Sequence, residues 1–227
     1  MGKEKKQRRI PVDSCIRCGT CCMKGGPILH EEDKEILLAR HIGYEHLVTI
    51  RKGELALNPV SDRLEPVRQE LIKIAGKENG WSCFYYDEKE SSCGIYEYRP
   101  LECRLLKCWA PSELIAVIGK NTIVRADIIN KSDPIISVIE THERECPCGE
   151  VENLIHNLSQ GKDKSKNLAR LTELVRKDVA VRSYAISELE LKKEFEPFIF
   201  GRPLQRILSD RGLSVRTAND DPIRKTS

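Results

Sequence analysis

Four cysteines fall within eight residues near the start of the chain, in the run Cys15-Ile16-Arg17-Cys18-Gly19-Thr20-Cys21-Cys22. A CxxC step lets one tight turn aim two thiolates at a single ion, and CxxCxxC supplies three. Cys15, Cys18 and Cys21 therefore make a ligand triplet whose fourth partner has to come from elsewhere in the fold. Cys22 adjoins Cys21 and cannot easily reach the same iron, which leaves it for a second iron, a second metal or no metal. More sulfur follows. Cys83, Cys93 and Cys103 come with nine residues between successive members, then Cys108 after four more, then Cys146 and Cys148 in a Cys-Pro-Cys turn. Scattered singly, cysteines would read as small buried apolar side chains; clustered like this, they point to a metal centre.

Two metal chemistries compete for them. A structural zinc site takes four tetrahedral ligands, usually from two CxxC or CxxH knuckles, and the wide spacing of Cys83, Cys93 and Cys103 offers no second knuckle. An iron–sulfur cluster of the 4Fe-4S type fits the spacing better, because a CxxCxxC loop plus a remote cysteine is how ferredoxin-type loops divide their ligands. The proline that follows the fourth cysteine of a ferredoxin has no counterpart at Cys22-Met23. Zinc is the alternative cofactor, in a module whose metal serves folding and the docking of a protein partner.

Composition narrows the setting. The 227 residues are enough to bury a core without disulfides, in one or two domains. Charged residues are 32% of the chain, yet the formal net charge is only +3, so no domain-wide attraction to nucleic acid is implied. The basic arm Lys3 to Arg9 runs into Pro11-Val12-Asp13 instead of the apolar stretch of a secretory signal. Lys6 stands where a myristoylation motif needs Ser or Thr. No window is apolar for long enough to span a membrane. The expectation is a cytoplasmic protein, where clustered cysteines mean metal or redox chemistry more often than disulfides.

The elements that must position these sulfurs can be read in outline. Gly19, Gly25 and Gly26 give the cysteine loop the backbone freedom to wrap a cluster. Acids at Glu31 to Asp33 and the apolar run Ile36 to Ile42 before Gly43 predict a helix. His46–Arg51 and Glu54–Asn58 about Lys52-Gly53 predict a hairpin, and Pro66 to Ala75 a helix. Seven of the 12 aromatic residues lie between Trp81 and Trp109, as expected either of a dry shell around a centre or of ordinary core. Beyond Trp109 the chain turns helical. Helices are predicted from Ser132-Asp133-Pro134, over Val151 to Leu158, over about Lys164 to Glu194 as one long helix or a broken pair, and from Pro203 to Asp210. The expected fold class is α+β: a basic arm (1–12), a small cysteine-rich metal-binding domain of short strands and helices (13–109), a mainly helical extension (110–215) and a loose tail (216–227).

The run Cys-Ile-Arg-Cys-Gly-Thr-Cys-Cys, then Cys83-Phe84-Tyr85-Tyr86-Asp87, then Cys93-Gly94-Ile95-Tyr96-Glu97-Tyr98-Arg99-Pro100-Leu101-Glu102-Cys103-Arg104, resembles the widespread CxxCxxCC family of zinc- or iron-chelating domains, also called the YkgJ-like cysteine-cluster family. The likeness covers about residues 13 to 108, and its most specific part is the Cys93 to Arg104 segment. It implies Cys15, Cys18, Cys21, Cys22, Cys83, Cys93 and Cys103 as the metal ligands, and it fixes no reaction. Flagellin lysine N-methylases share the cysteine pattern, which raises methyl transfer from S-adenosylmethionine as a third reading. The chain is shorter than those enzymes and has no glycine-rich strand-to-helix loop of the nucleotide-binding kind.

Cys108, Cys146 and Cys148 fall outside the shared pattern, as a second centre or as ordinary buried thiols. Arg17, Arg99, Arg104 and Lys107 flank cysteines and could offset cluster charge; surface solvation is the plainer account. Asp87 and Glu102 are candidate acids or simple caps. His30, His41, His46, His142 and His156 show no ligand spacing.

Overall fold

The computed structural model describes residues 15–77 and 80–214. The architecture is α+β, with three two-stranded antiparallel pairs followed by a helical layer. The predicted arm and tail lie outside the described residues. No described helix is long and apolar enough to cross a membrane.

Strand β1 (Leu47–Ile50) pairs with β4 (Leu71–Ile74), while β2 (Leu55–Asn58) pairs with β3 (Arg63–Pro66). The expected hairpin across Lys52-Gly53 therefore does not form, although both of its strands exist. Arg51 and Glu54 at its corner are fully buried and take ionic partners in other layers, so the chain turns away there instead of folding back. The helix expected over 66–75 is also corrected to a strand. Leu71-Ile72-Lys73-Ile74 alternates inside and outside, β4 hides Ile72 and Ile74, and pairing with the buried face of β1 outweighs any helical preference. The β2–β3 arm leaves the cross-strand pair Leu57 and Leu64 exposed. The helix expected before Gly43 is a 3-10 turn, Glu31–Asp33, continuing into α2 (Lys34–Leu38), and it stops at Arg40, whose φ is 60°.

Beyond the cysteine segments, α4 (Ser112–Val117) and α5 (Arg125–Ile128) lead to three long helices. These are α6 (Ile135–Glu145), α7 (Cys148–Ser159) and α8 (Lys164–Glu188), each within a few residues of expectation except that α8 ends early. Asp133 starts α6, its carboxylate accepting from the Ile135 N–H at 2.9 Å. Helix α8 buries Leu171, Leu174, Val175, Asp178, Arg182 and Ala185, a three-and-four spacing that makes one inward stripe. Two short helices close the fold, α9 (Glu196–Phe200) and α10 (Leu204–Asp210).

There are two cores. The first joins Leu29, Leu37, Leu47, Ile72, Ile74 and Ile123 to Ile135, Ile139, Ala185, Phe198 and Phe200, so the end of the chain covers the β1–β4 pair. The Thr49 hydroxyl donates to the Phe198 carbonyl at 2.5 Å, and Gly201 lies at φ 67°, where an added Cβ would come within 2.6 Å of the Thr49 carbonyl oxygen. The second core joins α7, α8 and α10 through Val151, Leu171, Leu174, Val175, Leu204 and Ile207, together with Cys146 and Cys148.

A buried ionic network runs between the layers. The Arg51 guanidinium donates twice to Glu143, at 3.0 and 3.1 Å, and to the Cys146 carbonyl at 2.6 Å. Glu143 also accepts from Arg125 at 2.7 Å, and Arg125 in turn holds Glu70 and the Ile199 carbonyl. The two guanidinium groups overcome the burial of Glu143 and hold its carboxyl below the usual range. On the other side, His142 Nε2 lies 2.6 Å from Asp178, which also pairs with Arg182 at 3.0 Å.

Burial, aided by Arg51 and Arg182, pushes the His142 imidazole below its ordinary pKa despite the hydrogen bond to Asp178. The fold thus favours the neutral ring, whereas an unfolded histidine takes up a proton below about pH 6.5. Stability contributed by neutral His142 is full above that pH and is lost as the pH falls below it. Nuclear magnetic resonance titration should show the ring's midpoint below that of an unfolded histidine, and urea melts should weaken less from pH 7 to 5 in His142→Gln than in the natural protein. An imidazole midpoint at or above 6.5 would contradict this assignment.

Candidate metal centre

Gly19, at φ 73°, sets the turn into α1 (Thr20–Met23), and the Tyr86 ring packs where a side chain on residue 19 would have to go. Tyr86 belongs to β5 (Tyr86–Asp87), which pairs with β6 (Ser92–Cys93) and puts Tyr86 opposite Cys93. The Cys83 N–H donates to the Cys22 carbonyl at 2.8 Å, and Cys83 bridges to Gly76, just past β4. Cys103 arrives on α3 (Leu101–Leu105), which follows the Arg99-Pro100 corner. Its first turn is anchored by Asp33, which accepts from the Leu101 N–H at 2.8 Å, and by Glu102, which accepts from the Ile28 N–H at 2.8 Å. Backbone contacts thus gather four separate segments.

Cys22, Cys83, Cys93 and Cys103 consequently lie in one another's field. Burial pushes the Cys22 thiol up to about 12, and Cys21, Cys83 and Cys93 add to the shift. Burial raises Cys103 well above the usual thiol range, reinforced by Cys83, Cys22 and Cys93. Cys83 moves the same way, from burial first and Cys93 in part. A metal bound here has to displace the protons of these thiols, so its uptake depends on pH, and sulfur donors suit zinc, iron and iron–sulfur centres. The donor set fits. Among the described residues no three His, Cys, Asp or Glu side chains already stand in coordination geometry, so binding has to draw the sulfurs inward.

The remaining expected ligands are placed differently. Cys15, Cys18 and Cys21 are exposed; Cys21 adjoins Cys22, whereas Cys18 has its pKa lowered by its hydrogen bond to the Thr20 hydroxyl at 3.3 Å. The structure brings Cys22, Cys83, Cys93 and Cys103 together and leaves Cys15, Cys18 and Cys21 at the surface, Cys21 beside Cys22 in sequence. Cys108 is exposed, while Cys146 and Cys148 are buried in the helical layer with pKa values pushed up to about 12, largely by burial. All ten cysteines are free thiols.

The flanking cations are mostly committed elsewhere. Arg17 and Arg99 stack on Tyr96, Arg104 pairs with Glu32, and Lys107 with Glu113. Asp87 caps the turn at Lys89 and Glu90. His41 and His46 stack on Tyr98 and Phe84. Of the segment's aromatics only Tyr86 is buried, and Trp81 is 69% exposed, so the ring-rich stretch forms an open rim more than a dry shell.

Two features escaped sequence reasoning. His30 Nδ1, 2.8 Å from the Lys120 carbonyl, must carry a hydrogen, and its Nε2 faces Glu102 at 3.4 Å. Lys73 is the other; its place in an alternating Leu-Ile-Lys-Ile stretch was the signal that could have turned it away from Ile72 and Ile74. A cavity of about 680 Å³, lined by Tyr44, Ile128, Leu189, Phe195 and Phe198 among others, includes no cysteine in its wall.

The chain is 31% identical over 114 residues to the uncharacterized protein MJ0661 of Methanocaldococcus jannaschii, covering 46% of this chain and 53% of that protein. It thus spans about half the length of the curated relative it matches. No solved structure matches it. The model of a family described as "CxxCxxCC: Putative zinc- or iron-chelating domain" matches residues 14–133, just over half the chain and past the boundary expected at 109, and the protein belongs to that metal-binding family.

Proposed function

We propose that the protein carries an iron–sulfur centre of the 4Fe-4S type, held by Cys22, Cys83, Cys93 and Cys103, with Cys21, Cys15 and Cys18 as further candidate ligands in the adjoining loop. The supporting observation is the convergence of the first four sulfurs from four segments in a partly buried site. Four such donors also suit a single zinc ion. A 4Fe-4S cluster takes four cysteines too; what favours it is the CxxCxxC spacing of the adjoining loop, which is how ferredoxin-type loops present cluster ligands. In this reading residues 13–109 form the chelating unit and the helices after 110 support it, in a reducing cytoplasm that keeps all ten thiols free.

Purification without oxygen, followed by assay of iron, zinc and acid-labile sulfide with a visible spectrum, tests the reading. About four irons and four sulfides per chain are expected. Stoichiometric zinc without sulfide would overturn it in favour of a zinc-stabilised folding and interaction module.

A further inference from the structure

Strand β4 alternates, so Lys73 leaves the sheet on the side opposite Ile72 and Ile74. Its Nζ reaches the cysteine loop, 3.3 Å from the point where a side chain on Gly25 would begin, and the Trp81 carbonyl lies 3.6 Å from that same point. Gly25 is tied back to Cys22, its N–H donating to the Cys22 carbonyl at 3.3 Å, and Trp81 lies two residues before Cys83. The ammonium is therefore wedged between two cysteine-bearing segments. Among the described residues Nζ has no hydrogen-bond acceptor. Glu102 and Cys83 are its electrostatic neighbours, but Glu102 is already engaged by the Ile28 N–H and faces His30. Lys77, the neighbouring lysine, spends its ammonium on the Tyr86 carbonyl. Burial lowers the pKa of Lys73, the expected result for a cation waiting on a counter-charge.

We propose that Lys73 is a positioning residue of the metal centre, its ammonium donating an N–H···S hydrogen bond to the Cys83 sulfur and offsetting the negative charge of the loaded site. The inference rests on the metal reading above, and it holds for zinc and for iron–sulfur alike. Four thiolates around a divalent ion leave two surplus negative charges in a partly buried place. An interior cation lowers that cost, and removing such an outer partner typically weakens metal binding by about 10–100-fold.

The test uses the reduced, metal-free full chain titrated with cobalt(II), read by its sulfur-to-cobalt charge-transfer band. Lys73→Met is expected to bind cobalt about 10–100-fold more weakly than the natural protein. Lys73→Arg, which keeps the charge, should recover most of the loss. Thermal melts of the metal-free forms separate this from a merely structural role, since methionine relieves a buried charge and should not lower their stability. If Lys73→Met does not fold, Lys73→Gln replaces it in the same comparison. Equal cobalt affinity in the natural protein and the charge-removing variant would overturn the inference alone. Failure of the natural protein to bind cobalt through sulfur, with neither iron nor zinc in the protein purified without oxygen, would overturn the metal reading, and the inference with it.

Discussion

Replacing Arg51 with alanine is expected to lower folding stability by about 3–5 kcal/mol, the range for removing one partner of a buried ion pair. The Arg51 side chain has no exposed surface, and it binds Glu143 through two nitrogens while holding the Cys146 carbonyl. Without it that carbonyl loses its donor, and Glu143 retains only Arg125. Domains of this kind are stable by about 5–15 kcal/mol, so the loss is a large share of the total. Urea unfolding followed by circular dichroism measures it. Arg51→Met should cost less than alanine, because it refills most of the space. A loss under about 1 kcal/mol for alanine would show that solvent replaces the guanidinium freely, contrary to the burial of the site.

The second large effect concerns the sulfurs. Cys83→Ser and Cys103→Ser, each tested alone, should reduce metal affinity by more than about 100-fold, since a direct ligand is worth more than the outer partners that cost up to that much. Cys146→Ala and Cys148→Ala should retain full metal content, because those thiols sit in the helical core against Leu171 and Leu174. Cys15→Ser and Cys18→Ser divide the possibilities inside the loop. Retained metal in both assigns the centre to the partly buried quartet, and loss in both shows that the exposed CxxCxxC turn folds over it. Unchanged metal binding in both Cys83→Ser and Cys103→Ser would remove the convergent site as the chelator.

Much of the fold could be read from the chain because its signals were local. The cap at Asp133-Pro134, the apolar stripe of α8 and the Pro203 start of α10 each depend on residues a turn apart, and each helix begins where expected. The strands fared unevenly. β1 and β2 were legible as segments, but their partners were not, since pairing depends on where Arg51 and Glu54 find counter-charges some 90 and 150 residues away, at Glu143 and Arg202. β4 was misread because four residues are too few for a periodicity to declare itself. For the site, spacing gave the set of cysteines but favoured Cys21 over Cys22. The contact that brings Cys22 beside Cys83 is a backbone one, and the bond from the Cys83 N–H to the Cys22 carbonyl has no trace in sequence spacing. Lys73 shared the signal of β4, an alternation too short to declare itself.

Helix α9 returns across the β1–β4 pair, with Phe198 and Phe200 sealing the core that Leu47, Ile72 and Ile74 begin. During synthesis the cysteine loop leaves the ribosome well before that seal does. Until residues 196–200 follow, the sulfurs hang on an unfinished support, open to whatever metal or oxidant the cell supplies. A chain stalled before residue 196 presents thiols and bare apolar strands together, a combination suited to capture by quality control.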